Sequence, residues 1–196
     1  MGVIVNADDF GKSDDINAAI DLAFDRGLIS RTTLMTNMPA AKAAMDIAVE
    51  KGYSNSVGIH LNLTQGVPLS QEMSKDRVMC DENGMFTADF ARNLKTRFFL
   101  PAKTSQNVEA ELRAQLDEYA RLGGTLWHID SHHHVHTDYS VWRVLKKVIK
   151  DYPVTSVRIG RNMYRGGNIL MRIYKILLNA SIRGTFNKKA DLFGSK

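Results

Sequence analysis

The 196-residue chain has a single cysteine, Cys80, and only four prolines and two tryptophans. One thiol cannot form an internal disulfide, so a disulfide-stapled secreted scaffold is excluded and a reducing, cytoplasmic setting is expected. No run of 18 or more apolar residues occurs, so no membrane-spanning helix is expected. The first residues, MGVIVNADDF, carry neither the basic region nor the cleavage site of a secretory signal. Repeats and low-complexity segments are also lacking, and the length suits one domain, residues 1–196, with a sizeable core.

Acidic residues are scarce in one place. Nine of the 26 Lys/Arg but only one of the 21 acids, Asp191, fall within residues 158–196. The basic character therefore belongs to the tail, while the preceding residues carry slightly more acids than bases. No interleaving of aromatic and basic residues accompanies this run, so a solvated helix face is a simpler reading than a nucleic-acid-binding surface.

Short apolar segments alternate with helical patterns along the rest of the chain. Strands are expected at 2–7, 30–36, 56–63, 125–130 and 154–159, from β-branched and apolar runs bounded by polar residues. Helices are expected over INAAIDLAFDRG (16–27) with Ser13-Asp14 supplying the capping side chains, over 40–51, over 105–122 with Ser105 as cap, over 138–151 and over 167–183. Gly27, Gly52 and Gly123-Gly124 supply the stops. Regularity lapses between about 64 and 104, where Pro68 and Pro101 interrupt and a small hairpin is expected across Glu82-Asn83-Gly84; such insertions often wall a binding site. The alternation predicts an α/β fold of mostly parallel strands joined by right-handed crossovers, with fewer strands than a closed eight-stranded barrel needs. Deprived of neighbours, the apolar helix near 168–180 would expose a patch and favour association, so a homodimer is a further expectation.

Three polar clusters fall at the carboxyl ends of expected strands, the edge at which parallel α/β architectures build sites. They are Asp8-Asp9 within VIVNADDFGKSDDIN, His60 within VGIHLNL, and Asp130-Ser131-His132. In extended chain two neighbouring side chains point to opposite faces, so Asp8 and Asp9 cannot duplicate one role. Taken alone, the doublet reads as an acidic loop entering a helix, and His60 reads as a hydrogen-bonded core residue. The run HIDSHHHVH changes that balance, because five of the six histidines lie between 128 and 136. Imidazole and carboxylate together suit a divalent cation, with Zn²⁺, Mg²⁺, Mn²⁺ and Co²⁺ all compatible, and Asp130 is suited to orienting an imidazole.

The stretches NADDFG (6–11), TTLMTNMP (32–39), VGIHLNLT (57–64) and HIDSHHHVH (128–136), in that order, resemble the YdjC-like carbohydrate deacetylase family. Its best-known members are chitooligosaccharide, or chitin disaccharide, deacetylases. The resemblance implies a divergent (β/α) barrel-like fold and a divalent metal, Mg or Zn first among the candidates. By position the ligands would be Asp9, His60 and His132, and Asp8 would be the general base. It further implies hydrolysis of the acetamide of an N-acetylated oligosaccharide, with the cation acting as Lewis acid. His134, His136 and His128 are candidates for orientation or substrate contact, and Arg158 for a sugar hydroxyl or a carboxylate. Members of that family are longer, so further barrel strands, a late histidine-containing segment and a general acid are expected beyond the part matched here. Two other readings fit the residues: a catalytically incomplete carbohydrate- or metal-binding remnant, and a metallo-phosphoesterase. The latter would want an anion-binding glycine loop or a basic cluster at the strand ends, which offer little of either.

Overall fold

The computed structural model describes residues 3–160 and 169–186. Five strands form one all-parallel sheet in the order β1-β2-β3-β4-β5: β1 (Asn6–Phe10), β2 (Arg31–Leu34), β3 (Val57–Leu61), β4 (His128–Ser131) and β5 (Ser156–Val157). Sequential order means that every crossover advances the same way, which is the winding of a (β/α) barrel rather than of a doubly wound sheet. The helices are α1 (Asp14–Asp25), α2 (Ala41–Glu50), α3 (Gln71–Ser74), α4 (Asp89–Arg92), α5 (Leu94–Phe98), α6 (Ala102–Arg121), α7 (Tyr139–Val148) and α8 (Ile169–Thr185).

A side-chain contact shows that the sheet is strongly curled. Four strand spacings of about 4.8 Å would set β1 and β5 roughly 19 Å apart in a flat sheet. That exceeds the combined reach of an arginine and an aspartate. Yet Arg158, one residue past β5, donates to both carboxylate oxygens of Asp8 in β1 at 2.7 and 2.8 Å. The sheet therefore bends toward closure with five strands present, which matches the barrel-like expectation.

Helix packing follows the apolar spacing. Val108, Leu112, Leu116 and Tyr119 of α6 and Val141, Trp142, Leu145 and Val148 of α7 are buried against Val57, Ile59, Ile129 and Val157 of the sheet. Ser13 caps α1 by accepting from the Ile16 amide, as its sequence position indicates. Between β3 and α6 the chain forms only short helices and a single antiparallel bridge, Cys80 to Phe86, across the expected hairpin.

Two expectations need correction. The helix preceding β4 begins at Ala102 rather than Ser105, with Pro101 at the cap, and the Ser105 hydroxyl is buried without a partner. Proline is pre-organised for a helix start and lacks the amide that a helix would leave unpaired there, so it can open the helix without a capping hydroxyl. The first strand is also displaced. Val3, Ile4 and Val5 are exposed, pairing begins at Asn6, and the buried anchor is Phe10. The acidic doublet thus lies inside β1, not after it.

On α8, Leu178 and Ile182 pack inward, while Ile169, Leu170, Ile173, Ile176 and Leu177 form an exposed apolar stripe. Arg172 and Arg183 stand solvated on the same helix. The tail's other expected features, at 161–168 and 187–196, lie outside the described residues.

Gly11, at the end of the doublet's turn, has φ +88°, and a Cβ there would meet the Ala41 Cα at 2.9 Å and the Met35 oxygen at 3.3 Å. Its amide donates to Asn17 Oδ1 at 2.7 Å, and Asn17 in turn donates to the Ala40 carbonyl. Gly11→Ala is expected to lower stability by about 1–3 kcal/mol, read by chemical denaturation, because neither the left-handed backbone nor the neighbouring main chain can yield cheaply.

Candidate metal centre

The site grows from a distortion in β1. The pairing register with β2 shifts between Ala7 and Phe10, and Asp9 takes φ +70°, a left-handed conformation. This bulge removes the strict alternation expected of extended chain, and both carboxylates enter one network. Asp9 Oδ1 lies 3.1 Å from His60 Nε2 and 2.8 Å from His132 Nδ1. Asp8 receives the Arg158 fork and a 2.8 Å bond from the Asn6 amide.

His60 sits in β3, where all five residues are buried, and it is paired in register with Asp130 of β4. Its Nδ1 donates to Asp130 Oδ1 at 2.6 Å, leaving Nε2 turned toward Asp9. Asp130 is fully buried, and its second oxygen receives Arg158 at 2.6 Å and the Thr33 hydroxyl at 3.2 Å. Burial alone would raise the Asp130 pKa, but His60 and Arg158 outweigh it and hold the carboxyl well below its ordinary range. For His60, burial opposes the charged form, yet Asp130 and Asp9 raise its pKa to about 9. The bonds from His132 and His60 likewise pull the Asp9 carboxyl far below the usual value.

His132 opens a tight turn, residues 132–137, in which His133 (φ 50°) and His134 (φ 56°) are both left-handed. Such positions cost about 1–3 kcal/mol each and persist only where the surroundings enforce them. Here the Ser131 hydroxyl oxygen accepts the His136 amide at 3.0 Å and lies 2.5 Å from His136 Nδ1. His136 Nε2 meets the Arg158 carbonyl at 2.9 Å, and His133 Nδ1 meets the Thr64 hydroxyl at 3.0 Å. His136 is thus a buried pin for the turn, its pKa pushed down to about 4 by burial. Of the two roles expected for it, orientation or substrate contact, these bonds correspond to orientation. His128 is also internal: it lies at the amino end of β4, buried, with Nδ1 2.8 Å from the Ser156 hydroxyl. His134 is half-buried beside the site, with its pKa lowered by burial and by Arg158.

Among the described residues, two groups of carboxylate and imidazole atoms lie within 4.8 Å of one another: Asp9, His60 and His132, and Asp8, His60 and Asp130. The first fits a divalent cation better. Asp130 is already saturated by three donors and Asp8 is forked by a guanidinium, whereas the first group offers one carboxylate and two imidazoles around a common point. Each imidazole also has its remote nitrogen held, by Asp130 on His60 and by the Gln65 side-chain oxygen, 3.1 Å from His132 Nε2. Metal-ligating histidines are held in this way.

Four neighbours escaped the sequence reading. Lys12 reaches Asp9 Oδ2 at 3.3 Å, Thr33 bonds Asp130, Asn6 bonds Asp8, and Gln65 bonds His132. Thr33 belongs to the TTLMTNMP motif and Gln65 directly follows VGIHLNLT, so motif adjacency was the available signal.

A family model described as YdjC-like protein matches residues 2–194. Among curated relatives, a carbohydrate deacetylase of Halalkalibacterium halodurans is 34% identical, the match covering 94% of this chain and 73% of that protein. Carbohydrate deacetylases of Vibrio cholerae and Geobacillus stearothermophilus are 38% and 40% identical, over 82% and 81% of this chain and 60% of each relative. The chain thus spans about three fifths of the length of those two relatives. The crystal structure of a proposed cellobiose-phosphate cleavage protein from Enterococcus faecalis superposes with TM-score 0.68 at 28% identity, covering 90% of this chain and 64% of that one.

Two outcomes follow from the charge network. Arg158→Leu should cost about 3 kcal/mol in denaturant titrations, the low end for a broken buried pair, since His60 and Thr33 still hold Asp130. In cation-free buffer, the raised His60 pKa adds stability that is present in full below its unfolded value of about 6.5 and lost as pH rises through about 9. Thermal midpoints should therefore fall across that window, and His60→Gln should flatten the decline.

Proposed function

The chain belongs to the YdjC-like protein family, and from that premise we propose that it acts as a metal-dependent hydrolase removing acetyl groups from N-acetylated sugars such as chitooligosaccharides. The observation that carries this reading is the convergence of Asp9, His60 and His132 from three strand ends upon one point, with a second carboxylate, Asp8, on the same edge. The names of the curated relatives point to the same class of substrate.

Asp9 Oδ1, His60 Nε2 and His132 Nδ1 would hold the ion, Zn²⁺ or Mg²⁺ first and Co²⁺ or Mn²⁺ as alternatives. A divalent cation so placed supplies Lewis acidity toward the amide carbonyl and lowers the pKa of water. Asp130 keeps His60 in the tautomer whose Nε2 lone pair is free for the ion. Asp8 is the proposed general base: it takes a proton from the water whose oxygen bonds to the acetyl carbon. As the carbon–nitrogen bond breaks, a proton passes to the departing sugar amine, giving acetate and the free amine. Arg158 fixes Asp8 beside the reacting atoms while pairing Asp130, and this dual contact joins the proton-transfer group to the ion-binding group. His134, half-buried beside them, is the proposed contact to the sugar.

The test is acetate release from diacetylchitobiose by the purified protein supplied with Zn²⁺, Mg²⁺ or Co²⁺. Asp9→Ala is expected to abolish both cation uptake, followed by calorimetry, and acetate release. Asp8→Asn should keep cation uptake and lose roughly 10²–10⁴-fold in turnover. Loss of cation by Asp8→Asn would exchange the two aspartates' roles, and absence of acetate with every cation despite tight uptake would overturn the deacetylase assignment.

A further inference from the structure

We propose that Gln65 is a positioning residue for His132, fixing the tautomer that presents Nδ1 to the ion. The inference rests on the metal-site reading above and assigns a role to a residue lying outside the ligand set.

The two imidazoles approach Asp9 through opposite nitrogens, Nε2 of His60 and Nδ1 of His132. A neutral imidazole offers a lone pair at one nitrogen only, so the other must carry the proton and needs an acceptor. For His60 that acceptor is Asp130, whose charge is already met by Arg158. For His132 it is the Gln65 side-chain oxygen, 3.1 Å from Nε2. A neutral amide accepts the hydrogen bond from Nε2 without adding a fourth carboxylate to a site already holding Asp8, Asp9 and Asp130.

Gln65 is itself held at both ends of its backbone. The Asn62 side-chain oxygen accepts the Gln65 amide at 3.1 Å, and the Asn62 side-chain nitrogen donates to the Gln65 carbonyl at 2.6 Å. Asn62 is clamped in turn by the buried Gln115 of α6, which accepts the Asn62 amide at 2.9 Å and donates to its carbonyl at 2.6 Å. Gln115 also donates to the buried Glu111 at 2.8 Å, and Glu111 accepts the amides of Leu69 and Ser70. A chain of amide clamps therefore runs from the core of α6 through the loop after β3 to His132. Because each link has a partner on either side, the Gln65 backbone is held beside His132, within reach of the bond that its side-chain oxygen makes to Nε2.

The test compares the protein with Gln65→Met, which keeps length but removes the acceptor, and Gln65→Glu, which keeps an acceptor. Calorimetric titration with Zn²⁺ should show affinity falling roughly 10–100-fold in Gln65→Met and holding at the original level or tighter in Gln65→Glu. The ¹⁵N signals of the His132 ring in the Zn²⁺-loaded protein should report an Nε2-protonated tautomer that becomes mixed in Gln65→Met. A purely structural loop contact would lower the melting temperature without moving these signals. Unchanged Zn²⁺ affinity and unchanged ring signals in Gln65→Met, with Asp9→Ala unable to bind, would overturn this assignment alone. Failure of the folded unsubstituted protein to take up Zn²⁺ would overturn the metal-site reading and the assignment with it.

Discussion

A carboxylate that reaches no solvent organises this molecule. Asp130, at the middle of the curled sheet, would be prohibitively costly to bury as a lone charge. The fold answers by directing three donors at it from three elements: His60 from the adjacent strand, Thr33 from β2, and Arg158 from beyond β5. Each donor has a second task. His60 turns its other nitrogen to Asp9, Arg158 forks onto Asp8, and Thr33 lies within 3.4 Å of Asn6, which in turn bonds Asp8. Neutralising one buried charge thus aligns both aspartates of the doublet.

The same requirement shapes the backbone. Arg158 can meet Asp8 and Asp130 together only if the sheet bends until its two outer strands approach, and the single-direction winding permits that bend. The Asp9 bulge and the left-handed pair His133-His134 are the local concessions. One puts consecutive carboxylates into one network, and the other folds the chain back so that His132 lies over Asp9. Strain concentrated at a site and fixed by surrounding hydrogen bonds is what pre-organised chemistry demands.

The network also separates the histidines into unlike tasks. His60 and His132 face Asp9, whereas His136 pins the turn from within and His128 bonds Ser156 at the opposite end of its strand. Histidine density in the sequence indicated a metal site, and spacing alone could not sort the members. The distinction depends on which nitrogen meets which acceptor after the turn has closed.

What the sequence determined by itself was the alternation of strands and helices, the parallel sheet, and the strands that bring Asp8-Asp9, His60 and Asp130-His132 to one edge. These follow from apolar periodicity and from local rules for caps and stops, which act over a few residues. The helix start at Pro101 differs from the expected one because proline opens a helix without a capping hydroxyl, and the first strand is anchored by Phe10 rather than by Val3–Val5 because burial overrides local propensity. Only the tertiary structure decided that the two aspartates share one network, that Arg158 bridges the sheet's outer strands, and that Gln65 and Thr33 stand behind the imidazoles. Those facts depend on contacts between residues as far as 150 positions apart. No local pattern encodes them; they arise when the sheet curls and a buried charge selects its partners.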